Sequence, residues 1–168
     1  GLERSDEFPA GIKDFTFTFG SESSTSGRLM PEYFIRQLGG ATPSEFFSQP
    51  FSFSGSHDRT VELVAAGTFQ VGAVNYKVYE RWVAERKVDP EQVKVICKTP
   101  YYADYNFTAH PDLETLFGEG FTQRLQQALV DMTDPQLLAA FPRDGMIPAK
   151  DEEFAGILAV ARELGMVR

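Results

Sequence analysis

The chain holds a single cysteine, Cys97, in 168 residues, so no disulfide can close within it. That fits a cytosolic protein, and equally an exported bacterial domain that does without cross-links. Histidine is scarce too, with only His57 and His110. Two histidines and one cysteine at such wide spacing supply no metal-ligand set, and no cofactor is expected. The sequence lacks a G-x-S-x-G elbow, a Walker A loop and a dinucleotide-type glycine pattern, which argues against hydrolase, nucleotide-hydrolysing and dehydrogenase chemistry. No run is long and apolar enough to span a bilayer, and no signal peptide is visible. Positive charge is in deficit: Lys+Arg is 16 against Asp+Glu 24, a net charge of -8. Such a surface repels nucleic acid and anionic membranes at long range. A small anion is not excluded, because local donors can hold it.

What is present is an ordinary globular composition, 42% hydrophobic and 24% charged, with 15 phenylalanines. The length suits one domain or a little more. Residues 1–13 are polar, with Pro9 and Gly11, and read as a linker or loop leading into the fold. Residues 14–20 (DFTFTFG) alternate aromatic residues with threonine, the period of a strand. A polar loop (21–27) and a helix over 28–38 follow, stopped by Gly39-Gly40. Residues 43–47 form a helical turn capped by Thr42 or Ser44. Short strands are expected over 51–53, 69–74 and 93–98, and helices over 59–66 and 76–85. Cys97 falls in the last of these strands (VKVICK), where an inert buried thiol is expected. Beyond it the tyrosine-rich 99–105 leads into helices over 113–117, 121–132, 135–141 and 151–164. Alternation of strands and helices predicts an α/β lobe with a mainly parallel sheet over 14–98. The crossover segment and C-terminal helices occupy 99–168.

Three strand-to-helix junctions and one crossover segment carry candidate chemistry. In the first, Ser24, Thr25 and Ser26 precede Gly27 at a helix start, where backbone N–H groups and the helix dipole favour an anion. The same residues also suit plain N-capping. In the second, Ser54–Asp58 (SGSHD) repeats the arrangement and places His57 beside it; a capping or surface histidine is the simpler alternative. In the third, Asn75 and Lys77 end GAVNYK, although Lys77 also suits a solvated helix face. The fourth, TPYYADY, offers tyrosines and Asp104, which could line a pocket or pack a hinge. In a parallel sheet the first three junctions emerge at one edge, where α/β proteins bind ligands.

The order STSG after a strand, a GSH turn, a VGAVN strand and a TPYYADY crossover resembles the phosphate/phosphite/phosphonate-binding proteins of ABC transporters. The resemblance covers roughly residues 14–160 and is most specific in the pairing of STSG with GSH. FGSESSTSGRLMP is also similar to a branch of that family labelled as selenate binders. The resemblance implies a type II periplasmic-binding fold, two α/β lobes closing on a ligand without chemistry. It implies a small tetrahedral oxyanion as ligand, an ABC permease as partner, and a periplasmic or lipid-anchored location. It carries oxyanion contacts onto Ser24, Thr25, Ser26 and His57, and a crossover acid onto Asp104. Lys77 stands where aminoalkylphosphonate binders place an acid, which favours a plain oxyanion over an amine-bearing one. The family carries most of its other lobe ahead of the STSG strand. The chain is therefore expected to be a fragment, with bared apolar surface and self-association as consequences. The alternative reading is a ligand-sensing domain of a regulator or sensor kinase on the same fold, and a hydrolase built on serine, His57 and Asp58 is the weakest.

Overall fold

Residues 15–19 alternate aromatic and threonine side chains, and the last three of them become the central strand of a parallel sheet. The computed structural model describes residues 8–103, 105–139, 141 and 144–167. Strand β1 (Phe17–Phe19) pairs in parallel with β2 (Ser52–Phe53) on one side and β3 (Val71–Gly72) on the other, giving the order β2-β1-β3. The registers are Thr18 to Ser52 and Phe17 to Val71. All three residues of β1 are buried, as a central parallel strand covered on both faces requires.

The two faces differ. On one, Phe17 and Phe19 join Phe47, Ile12, Ile35 and Ala73 in the core, with Phe51 and Phe53 packed against it. Phe17 stacks on Phe47 with ring centroids 4.5 Å apart, and Phe19 meets Phe51 edge-on at 5.2 Å. Helix α1 (Met30–Gly39) contributes Ile35 to this face and ends at Gly40, whose φ of 75° suits glycine. The short helix α2 (Pro43–Phe46) follows, its N-cap Thr42 donating from N–H and hydroxyl to Glu45. These bonds, the hydroxyl one foremost, hold the Glu45 carboxyl below its usual pKa.

On the other face Thr18 and Gly72 meet α3 (His57–Ala65). A methyl added to Gly72 would lie 2.6 Å from Thr60 and 3.1 Å from Val64, so helix and sheet touch directly there. Connections therefore run over opposite faces, β1 to β2 by α1 and β2 to β3 by α3. Helix α4 (Tyr76–Ala84) follows β3. The leading segment contributes a 3-10 helix, Ala10–Asp14, that buries Ile12.

Residues 93–98 depart from expectation. They form no strand: Tyr79 donates its hydroxyl to Val93 O at 2.5 Å, and Ile96 packs on the phenylalanine core. Their apolar pattern is satisfied by packing instead of ladder bonds.

The chain divides into two compact units, one of Gly1–Tyr101 with Leu158–Arg168 and one of Tyr102–Ile157. The second contains α5 (Leu113–Phe117), α6 (Phe121–Val130) and α7 (Pro135–Leu138). Phe117 stacks on Phe121 at 4.6 Å. Glu114 accepts from the N–H groups of Gly120 and Thr122, and hydrogen bonding from Thr122, its side chain ahead of its backbone, lowers the Glu114 pKa. The last helix, α8 (Ala155–Glu163), ends on Glu163, which accepts from Gln37 of α1 at 2.6 Å.

Candidate functional site

Each of the three strands runs in the same direction and each is followed by a helical segment. The three junctions consequently lie along one edge of the sheet. After β1 the chain turns at Gly20 and enters a single turn of π-helix, Thr25–Leu29, before α1 begins. A π turn arises here because Ser24 O accepts from both Arg28 N–H and Leu29 N–H, each at 3.0 Å. Ser24 caps the turn, its Oγ accepting from Gly27 N–H at 2.9 Å. Thr25 opens it, accepting from Met30 N–H. The first N–H groups of such a segment have no partner within it and can serve a ligand.

Gly27 is where the backbone must come close. A methyl there would sit 3.0 Å from Ser24 Oγ, 3.1 Å from Gly20 Cα and 3.2 Å from His57 Cε1. Gly20 N–H donates to Gly27 O at 2.8 Å, which fixes the loop across its own base.

The second junction puts His57 at the first position of α3, capped by Ser56, whose Oγ accepts from Arg59 N–H at 3.1 Å. The imidazole spans the other two junctions. Its Nδ1 accepts from Asn75 N–H at 3.3 Å, and its Nε2 lies 3.3 Å from Ser26 Oγ. An amide can only donate, so Nδ1 is the acceptor and the proton of a neutral ring sits on Nε2. Burial pushes the His57 pKa below its ordinary value, against the opposing charge of Asp58, so the neutral ring is favoured. Nε2–H then donates to Ser26 Oγ, and the Ser26 hydroxyl proton is left to turn towards a ligand.

Of the residues read from the sequence, Ser24, Thr25, Ser26, His57 and Asn75 come together at this edge. Asn75 takes part through its backbone, because its side chain caps α4 by accepting from Lys77 N–H at 2.9 Å. Asp104 lies outside the described residues. Asp58 is already engaged: its Oδ1 accepts from Trp82 Nε1 at 2.5 Å and Arg81 at 2.7 Å, fastening α3 to α4. Lys77 pairs with Glu80 at 3.2 Å. The sequence reading passed over the clasp of Trp82 and Arg81, for which no local spacing gave a signal. It passed over Arg28, Glu32 and Arg36 as well, although their i,i+4 spacing was legible.

The arrangement is a cluster of hydroxyl and amide donors with a neutral imidazole, suited to hold an anion. Residues 4–154 match the family model for the periplasmic substrate-binding protein of phosphonate ABC transporters. The chain is 38% identical over 162 residues to a protein of Prochlorococcus marinus (strain MIT 9301) named as a probable ABC transporter phosphite binding protein, PhnD1. That match takes in 94% of this chain and 54% of the relative, so the chain spans about half the relative's length. The solved structure of PhnD1 from the same organism in complex with methylphosphonate superposes with a TM-score of 0.84 at 36% identity, covering 98% of this chain and 63% of that one.

Proposed function

The chain belongs to the family of periplasmic substrate-binding proteins of phosphonate ABC transporters, and from that premise we propose that it forms the anion-gripping part of such a protein. The ligand is a small tetrahedral oxyanion: a phosphonate, phosphite, phosphate or selenate. It docks on Ser24, Thr25 and Ser26, with His57 and the Asn75 region beside it and Asp104 of the crossover segment as a further contact. Residues 14–98 carry the gripping lobe, and 99–168 the crossover and C-terminal helices. The parent protein works in the periplasm, or lipid-anchored at the outer face of the membrane, and hands its ligand to a permease without making or breaking bonds.

The observation that best supports this reading is the Ser26–His57–Asn75 chain of contacts, which ties all three strand ends into one cluster. With Nδ1 occupied, His57 enters as a neutral donor. One oxygen of Asp58, Oδ1, is held by Trp82 and Arg81 on α4. The hydroxyl and amide donors of the cluster match the bare oxygens of a tetrahedral oxyanion, and Asp104 is the proposed acceptor for a protonated one. An unmatched buried oxygen costs about 1–3 kcal/mol, enough to select among similar anions.

A thermal-shift panel with phosphate, phosphite, methylphosphonate, sulfate and selenate tests this. At ligand near ten times Kd, stabilisation of about 1.4 kcal/mol is expected. The shift should come from one of the phosphorus oxyanions or from selenate, and vanish in Ser24→Ala. A panel flat for every anion, with the longer parent protein equally flat, rejects the reading. Self-association of the chain through the exposed Leu116, Phe117 and Ile147 is part of the same proposal, and sedimentation at rising concentration checks it.

A further inference from the structure

The π turn that carries Ser26 needs something to hold it. Ser24 O is shared between two N–H donors, at Arg28 and Leu29. A shared acceptor leaves the turn one step from ordinary α-helical register, and π turns recur at functional sites because neighbouring structure maintains them.

Arg28 lies inside that turn, and its side chain joins three elements. Nε donates to Glu32 Oε2 at 2.5 Å on α1. The guanidinium sits 4.9 Å from the ring centroid of Phe53 and 5.6 Å from that of Phe19, the last residues of β2 and β1. Glu32 is only 3% exposed, and its Oε1 accepts from Arg36 at 2.7 and 3.2 Å. A carboxylate buried this deeply is costly without its cations, so the Arg28–Glu32–Arg36 group is fixed in place. Arg28 is thus anchored at one end by a buried ion pair and at the other by two aromatic faces at the sheet edge.

We infer that Arg28 is a positioning residue of the anion site: it clamps the Thr25–Leu29 turn to the ends of β1 and β2 and so sets the reach from Ser26 to His57. It does this with a planar group that both stacks and donates from Nε, which lysine cannot reproduce. The inference rests on the anion-binding reading above and extends it to a residue outside the donor cluster.

The test is a double-mutant cycle read by methylphosphonate titration of the full chain. Arg28→Met weakens binding about tenfold, and Arg28→Lys restores less than half of that loss on a logarithmic scale. On a Ser26→Ala background, Arg28→Met adds no more than about twofold, because the hydroxyl it positions is gone. Multiplicative losses in the double variant, full recovery in Arg28→Lys, or unchanged affinity in Arg28→Met each overturn the inference. Should Arg28→Met not fold, Phe53→Leu replaces it: removing one stacking face weakens binding about threefold, again only with Ser26 present. Binding by the unsubstituted chain that Ser26→Ala weakens and Arg28→Met does not removes this inference alone. No binding by the unsubstituted chain or by the longer parent removes the anion reading with it.

Discussion

In the unit built on the sheet, Phe17, Phe19 and Phe47 stack inside a closed core, whereas in the helical unit Leu116, Phe117 and Leu137 lie open to solvent. Both regions have the apolar side chains to make a core. Only the first has a surface that can be covered from two sides. A parallel strand presents two faces, and α1 and α3 cover one each. Helices α5, α6 and α7 each carry one apolar stripe, and none of the three contains a buried residue. The proposed anion site lies in the tightly packed unit, as a cluster of weak donors requires, because such donors act on an anion only if their geometry is fixed in advance.

This contrast can be broken most directly at Phe19, which is fully buried. Phe19→Ala should cost about 3–5 kcal/mol in urea denaturation, while Leu116→Ala should stay within about 0.5 kcal/mol. Equal costs would mean that the helical unit is packed as firmly as the sheet. A smaller effect is expected at Gly27, where an added methyl meets Ser24, Gly20 and His57 at 3.0–3.2 Å. Gly27→Ala should destabilise by about 1–3 kcal/mol, and it should abolish the thermal shift with methylphosphonate. A variant that still responds to the anion would show that the loop can relax without losing its function. Ser26→Ala removes one hydroxyl and leaves the core alone. Its expected cost is about 1 kcal/mol of binding, with stability nearly unchanged. A calorimetric Kd equal to that of the unsubstituted chain would take Ser26 out of the site.

The smallest effect concerns pH. His57 has a folded pKa below its ordinary 6.5, so the unfolded chain binds a proton more readily than the folded one. Its contribution to stability is therefore complete above that ordinary value and is lost as pH falls through it towards the folded value. His57→Gln should flatten that part of the stability profile. An unaltered profile would assign the acid sensitivity to carboxylates such as Glu45 or Glu114, whose lowered pKa values act in a more acidic range.

Much of this protein could be read from residue order. Alternation in DFTFTFG, the glycine stop after α1 and the hydroxyl-rich loops ahead of α1 and α3 are local features, and local propensity decides them. The motif order STSG, GSH, VGAVN was enough to indicate the family to which the chain belongs. Helix α5 falls on the expected 113–117 and stops where Gly118 takes a φ of 89°. Residues 93–98 were misread for the complementary reason. An apolar run records the wish to be buried, and whether a neighbouring strand or a packed core grants it is decided elsewhere in the chain.

The sequence by itself determined the parallel α/β plan and the placement of Ser24–Ser26, His57 and Asn75 after strand ends. Tertiary structure alone decided how these groups are wired. It decided that His57 accepts from the Asn75 backbone and faces Ser26, that Asp58 belongs to Trp82 and Arg81, and that Arg28 reaches Phe53 from a π turn. Those partners lie 18 to 31 positions apart, and hydrogen bonds depend on tenths of an ångström that no spacing rule conveys.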